Sequence, residues 1–354
     1  MESSMKKASM LAAAFAAITI LCGCGAKEVQ VENMSLEKKA AQLLMVRCES
    51  DMSDILNRGA GGIVMFARDF DGLTKEEVQE KTSQYQKNSD IPLWIATDEE
   101  GGTVVRVSSN PYLRQEPFNS PAYYYRAGGM DNLMNITAEK SQLLYDLGVN
   151  MNLGPVADVS TDPDDFIYKR SLGESAQLTA QYVAEAVKTA KRHNIASCLK
   201  HFPGYGSNTD THTGIAVDTR PFDTFTNKDF LPFEAGIAEG TEAILVSHNI
   251  VTCMDHELPA SLSPAVHSVL RSNLKYDGLI MTDDLAMKAV QDYGDIYIKA
   301  VNAGNDMLIV SDFDAALQEI VGGVQSGQIQ EDTLNQAVER ILNVKKACGI
   351  IPEN

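Results

Sequence analysis

The chain has 354 residues, with 30 Lys and Arg against 48 Asp and Glu, a formal net charge of -18. A surface that acidic repels phosphate backbones and excludes nucleic acid as an expected partner. The length suits one large α/β domain or two small ones, and since no low-complexity linker divides the chain, a single domain is expected.

At the start, Met5, Lys6 and Lys7 precede a Leu/Ala/Phe/Ile run that ends at Leu21. A charged n-region followed by a short apolar run is an export signal, too short to span a bilayer comfortably. Its end, Leu21-Cys22-Gly23-Cys24, resembles a bacterial lipobox. That resemblance implies a lipoprotein signal peptide over 1–23, cleavage before Cys24, acylation of Cys24 and a lipid tether to the outer face of a membrane. Residues 24–34 then serve as a tether and 35–354 as the folded domain. Cys48, Cys198, Cys253 and Cys348 sit far apart in apolar segments without CxxC spacing, and are expected mostly as buried thiols rather than a disulfide framework or a zinc site, with one bridge as the alternative that export allows.

What repeats after the tether is an alternation. Strand-like apolar runs occur at 43–47, 62–66, 93–97, 151–156, 195–199, 243–247, 278–282 and 306–310. Helix-like stretches separate them: 73–86 behind a Thr74–Glu77 capping box, 132–147, 175–193, 231–238, 263–272 and 285–303. Eight strands alternating with helices predict an α/β fold, a (β/α)8 TIM-like barrel in a single domain, with a doubly wound open sheet as the alternative. A last helix, 334–347, is expected to close the barrel over its final strand. Gly59-Ala-Gly-Gly62 precedes a strand instead of joining one to a helix, so it is not a phosphate loop.

On a barrel, residues that follow the strands share one rim. Asp98, Glu99, Glu100 and Arg106 follow the third strand, and Asp158 and Arg170 the fourth. Ser247-His248 follow the sixth, and Asp283-Asp284 the seventh. The fifth leads into Lys200-His-Phe-Pro-Gly-Tyr-Gly-Ser-Asn-Thr-Asp-Thr-His212. Asp210 and His212 have the spacing at which a carboxylate orients an imidazole and raises its proton affinity for acid/base work. A metal site, or a polar loop that satisfies itself, remains an alternative for this cluster. Charged groups converging on one rim suit a ligand with many hydroxyls. A carboxylate at the tip of a buried strand is held rigidly, which favours a nucleophile. Of the pair at the seventh tip, Asp283 is given the chemistry and Asp284 the role of helix N-cap.

The runs GGIVMF from Gly61, DEEGG with Arg106, NMNLGPVADV from Asn150, KRSLG from Lys169, KHFPG from Lys200, PASLS from Pro259, GLIMTDDLAM from Gly278 and AGNDML from Ala303 resemble glycoside hydrolase family 3. The resemblance is to its single-domain bacterial β-N-acetylhexosaminidases of peptidoglycan-recycling type, and it covers almost the whole mature chain. It implies that Asp283 is the nucleophile, His212 the acid/base and Asp210 its orienting partner. It further implies that Asp98, Arg106, Arg170, Lys200 and His201 hold the sugar and that the mechanism is retaining. The sequence shows no metal cluster and no dinucleotide fingerprint, so no cofactor or metal is expected. The implied partners are an amino-sugar oligosaccharide or muropeptide and, through the lipid, a membrane. Tyr205 stands where such proteins usually have His, Glu99 where they have Gln and Thr103 where they have Arg, and the Gly206–Asp210 spacing is one residue short. A neutral imidazole base does not repel anions, so phosphate is an alternative acceptor to water. Other readings are a β-glucosidase of the same family and a sugar-binding lipoprotein without catalysis.

Overall fold

A computed structural model describes residues 30–207 and 214–352. Cys24, Asp210 and His212 lie outside these described residues, as do the expected signal peptide and most of the tether.

Eight parallel strands form the barrel: β1 Leu44–Arg47, β2 Gly62–Met65, β3 Trp94–Thr97, β4 Met151–Asn152, β5 Ala196–Phe202, β6 Ala243–Val246, β7 Leu279–Thr282 and β8 Leu308–Val310. They pair in chain order, with β8 also beside β1. A bridge between Met281 and Met307 joins β7 to β8 and completes the ring. Nearly every strand residue is buried, as expected where side chains fill the interior on one side and meet helices on the other. The (β/α)8 reading therefore holds, and the open sheet falls.

Outside the ring, helix Ala176–Arg192 packs on helix Phe230–Ala238. The second of these lies close to β5 because Gly236 has no side chain: a Cβ there would stand 2.5 Å from Leu199. Phe202 of β5 meets Phe230 and Phe233 with ring centroids 5.4 and 5.2 Å apart, an apolar anchor behind the end of the strand.

Several expected elements are revised. The 285–303 helix is two, Lys288–Gln291 and Ile296–Ala303, and between them Gly294 and Asp295 take positive φ, which a continuous right-handed helix cannot contain. The 132–147 helix begins at Pro121 behind the Ser120 cap and bends at Gly128 and Gly129. The 263–272 stretch turns from an α-helix, Pro264–Ser268, into a π-helix, Val269–Asn273. The last helix, Glu331–Ala347, packs on helix Leu36–Gln42 and on β7. Val31–Asn33, at the end of the expected tether, is a 3-10 turn with Val31 buried, and it too touches that last helix. Cys48 and Cys198 are buried thiols as expected, but Cys253 is exposed.

Candidate active site

An open cavity of about 400 Å³ lies at the C-terminal ends of the strands, the face where barrels of this kind carry their chemistry. Asp98, Arg106, Arg170, Lys200, His201 and Asp283 all line it. Four separate stretches of sequence thus converge on one space.

The fifth strand positions two of these groups in a way its pattern did not predict. Lys200 and His201 belong to β5 itself instead of following it. Neighbours in a strand normally face opposite ways, yet both line the cavity, and the ladder to β6 slips by one residue between Lys200 and Phe202. A bulge of that kind re-aims side chains at a barrel rim.

Glu100 organises the cations. Its carboxylate takes two parallel hydrogen bonds from Arg170, Nη2 to Oε1 at 2.7 Å and Nε to Oε2 at 3.0 Å. The Lys200 ammonium lies 2.7 Å from Oε1 and 2.5 Å from Asp98 Oδ1. Burial pushes the Glu100 carboxyl up, but Lys200 and Arg170 outweigh it and hold it well below the usual carboxylate range. Burial likewise lowers Lys200, and Asp98 and Glu100 more than reverse this, so the ammonium stays charged.

His201 is held at both nitrogens. Nδ1 lies 2.8 Å from Asp158 Oδ2, and Nε2 lies 3.1 Å from Arg170 Nη2. An arginine N–H can only donate, so this geometry assigns the lone pair to Nε2 and the proton to Nδ1. No lone pair is left over for a metal. Asp158 also accepts from the His201 and Tyr205 backbone N–H groups, at 3.0 and 2.8 Å. Tyr205 itself is buried edge-on against the His201 ring, with centroids 5.1 Å apart.

Asp283 stands one residue beyond β7, half-buried at the cavity wall, with Oδ1 accepting the Asp284 N–H at 2.8 Å. Burial pushes its carboxyl up. His248, the Asp284 N–H and Lys200 outweigh that and hold it below the ordinary aspartate value. An ionised carboxylate on a rigid strand tip is what nucleophilic attack requires.

Asp284 does not cap a helix, because the next helix starts only at Lys288 behind Met287. Its Oδ1 accepts the Ala286 N–H at 2.8 Å in a turn, and its Oδ2 pairs with Arg47 at the end of β1. His248 donates Nε2–H to the Asp284 carbonyl at 3.0 Å and lies 2.7 Å from the Ser261 hydroxyl through Nδ1. The seventh strand tip is thereby fastened to the first and sixth. Arg106 stacks over Phe66 at 5.7 Å, and its Nε is buried with no hydrogen-bond partner among the described residues. Glu99 faces away, accepting the Arg106 and Val107 N–H groups at 2.7 Å each. A carboxylate is at home there because it receives only donors.

The profile of the glycosyl hydrolase family 3 N-terminal domain matches residues 35–344. The chain belongs to glycoside hydrolase family 3. It is therefore an enzyme of glycoside-hydrolase type. A β-hexosaminidase of Hydrogenovibrio crunogenus is 28% identical over 278 residues, 76% of this chain and 77% of that one. The β-hexosaminidase LpqI of Mycobacterium tuberculosis is 26% identical over 340 residues, 89% of this chain and 85% of that one. Among solved structures, a family 3 β-N-acetylglucosaminidase from Paenibacillus sp. superposes with a TM-score of 0.84 at 28% identity. That match covers 91% of this chain and 64% of the longer one.

Within this family 3 barrel, the cavity brings together every expected site residue that the structure describes. Glu100, Asp158, Arg47 and His248 were not singled out from the sequence as site residues, although three of them stand among the rim charges. A row of acids such as Asp98-Glu99-Glu100 does not reveal which one faces the cations and which one faces backbone.

Proposed function

We propose that this enzyme is an exo-acting retaining glycoside hydrolase that removes a terminal β-linked N-acetylglucosamine from cell-wall fragments or other amino-sugar oligosaccharides. The observation that carries the reading is the placement of Asp283 in one cavity with the Asp98–Lys200–Glu100–Arg170–His201 network. Such a network presents forked donors and acceptors in fixed positions, as sugar hydroxyls require. The names borne by the similar proteins, β-hexosaminidase and β-N-acetylglucosaminidase, support the choice of sugar.

In the first step an Asp283 oxygen attacks the anomeric carbon, the bond to the leaving oxygen breaks, and His212 gives that oxygen its proton. In the second, His212 takes a proton from water, whose oxygen displaces Asp283 and restores the free carboxylate. Asp98, Arg106, Arg170, Lys200 and His201 hold the ring, and Asp210 orients His212. The roles of Asp210 and His212 rest on the family motif. The charged n-region, the apolar run and Cys24 support export and lipid attachment outside the cell.

The test is hydrolysis of 4-nitrophenyl β-N-acetylglucosaminide beside the β-glucoside, each with and without phosphate, following the anomer first formed. Faster release of β-N-acetylglucosamine with retention is expected. Preference for the glucoside overturns the sugar, a sugar phosphate product overturns the acceptor, and turnover of neither substrate overturns the enzyme reading in favour of a binding protein.

A further inference from the structure

Outside the cavity, a buried charge cluster lies beside the segment that follows β5. Arg220 sits between two buried carboxylates: Nε reaches Asp218 Oδ2 at 2.9 Å, Nη2 the same oxygen at 2.6 Å, and Nη1 Asp229 Oδ2 at 3.0 Å. Nη2 also donates to the Gly204 carbonyl at 3.1 Å, and the guanidinium lies over the Phe225 ring at 4.4 Å. Gly204 and Gly206 have φ of +119° and +56°, and a Cβ on either would strike this cluster, at 2.7 Å from Asp229 and 2.5 Å from Arg220. Only glycine lets the backbone turn there and lie against the charges.

The position of this cluster in the chain gives it a meaning beyond stability. Gly204 and Gly206 stand just after β5, and the Tyr205 N–H between them is held by Asp158, which also holds His201. Asp218 ends a two-residue strand, Val217–Asp218, paired with Ile250–Val251 just past β6, and Ile250 N–H donates to the Ala216 carbonyl at 2.8 Å. Arg220 thus ties Gly204, before positions 208–213 in the sequence, to Asp218, after them. By sequence, that stretch contains Asp210 and His212.

We propose that Arg220 is a positioning residue for the proton-transfer step, fixing both ends of the stretch that bears His212 relative to Asp283. This rests on the reading of His212 as the acid/base. A displacement of about 1 Å costs roughly a hundredfold when geometry limits the step. Departure of a good leaving group needs little help from an acid, whereas departure of a poor one depends on it. Loss of positioning therefore shows selectively on poor leaving groups, while a purely structural role lowers every substrate alike.

The experiment measures kcat/KM for phenyl and for 2,4-dinitrophenyl β-N-acetylglucosaminide with the full chain, comparing Arg220→Lys with the parent. Lysine keeps the charge but cannot hold Asp218, Asp229 and Gly204 at once. The expected result is a loss of about 10- to 100-fold on the phenyl substrate and less than about 3-fold on the dinitrophenyl one. Equal loss on both, or none on either, overturns the proposal. Should Arg220→Lys fail to fold, the variant Arg220→Met/Asp218→Asn/Asp229→Asn, which removes all three charges of the cluster, carries the same comparison. His212→Ala separates the two claims: it should show the same selectivity, and adding Arg220→Lys to it should cost nothing further on the phenyl substrate. A His212→Ala variant without selectivity puts the fault in the acid/base assignment, and the role of Arg220 falls with it.

Discussion

Arg170 and Glu100 meet through two parallel hydrogen bonds, 2.7 and 3.0 Å long, with the glutamate side chain 1% exposed. Lys200 shares the same carboxylate, so this buried anion faces two cations, one of which Asp98 also pairs. Glu100→Gln keeps the shape and removes the charge. Breaking a buried pair from one side costs about 3 kcal/mol, so urea unfolding near neutral pH should show a loss of that order. Asp98→Asn should lose less, because Asp98 is 18% exposed. The Glu100 carboxyl is depressed in the folded protein, so its contribution is complete above the unfolded value and fades as pH falls toward the folded one. The gap between parent and Glu100→Gln should therefore narrow below about pH 4.

Asp158 receives three donors, the His201 ring and backbone N–H groups and the Tyr205 N–H. An asparagine there must turn its own NH2 toward at least one of them. Asp158→Asn should cost about 1–3 kcal/mol in stability from the unmet donor. Its kcat/KM should fall about 10- to 100-fold, by analogy with the loss of outer partners that orient a histidine. Activity indistinguishable from the parent would show that the orientation of His201 does not matter to the reaction.

The eight barrel strands were legible because their apolar runs are short, separated and bounded by turn residues, and the 73–86 expectation met a real capping box at Thr74 and Glu77. The 121 start of the long helix was available in Ser120-Pro121, a cap followed by proline, but the glycine pair at 128–129 masked it. Asp284 was misjudged because an acid after a strand looks the same whether it caps a helix or binds an arginine from β1, 237 residues away in sequence. The inward turn of both Lys200 and His201 depends on a ladder slip that no residue pattern announces. The partners of the charged groups were illegible for the same reason: pairing is set by closure of the ring.

Lys345 is buried in the last helix, hydrogen-bonded to Gln42 Oε1 at 3.2 Å, and burial lowers its ammonium to about 7. A lysine depressed in the fold binds its proton more readily when unfolded, so stability rises with pH between the two values. Lys345→Met should be more stable than the parent at pH 7, and the advantage should shrink by up to about 1.4 kcal/mol per pH unit toward pH 9. Denaturant titrations across that range give the slope, and a constant difference would contradict the assignment.

Cys24→Ala removes the sulfur to which the proposed lipid attaches. In a bacterial host, the parent should label with radioactive palmitate and sediment with membranes, and the variant should do neither. A parent that remains unlabelled would refute the lipid tether and leave the catalytic account untouched.

In the proposed mechanism Asp283 forms a covalent bond to the sugar. Intact-mass analysis after rapid quenching of a slow substrate, followed by peptide mapping, tests it directly. One sugar mass on the peptide containing Asp283, absent from Asp283→Asn along with turnover, is the expected result. Undiminished turnover by Asp283→Asn, or the sugar on a different carboxylate, would contradict it.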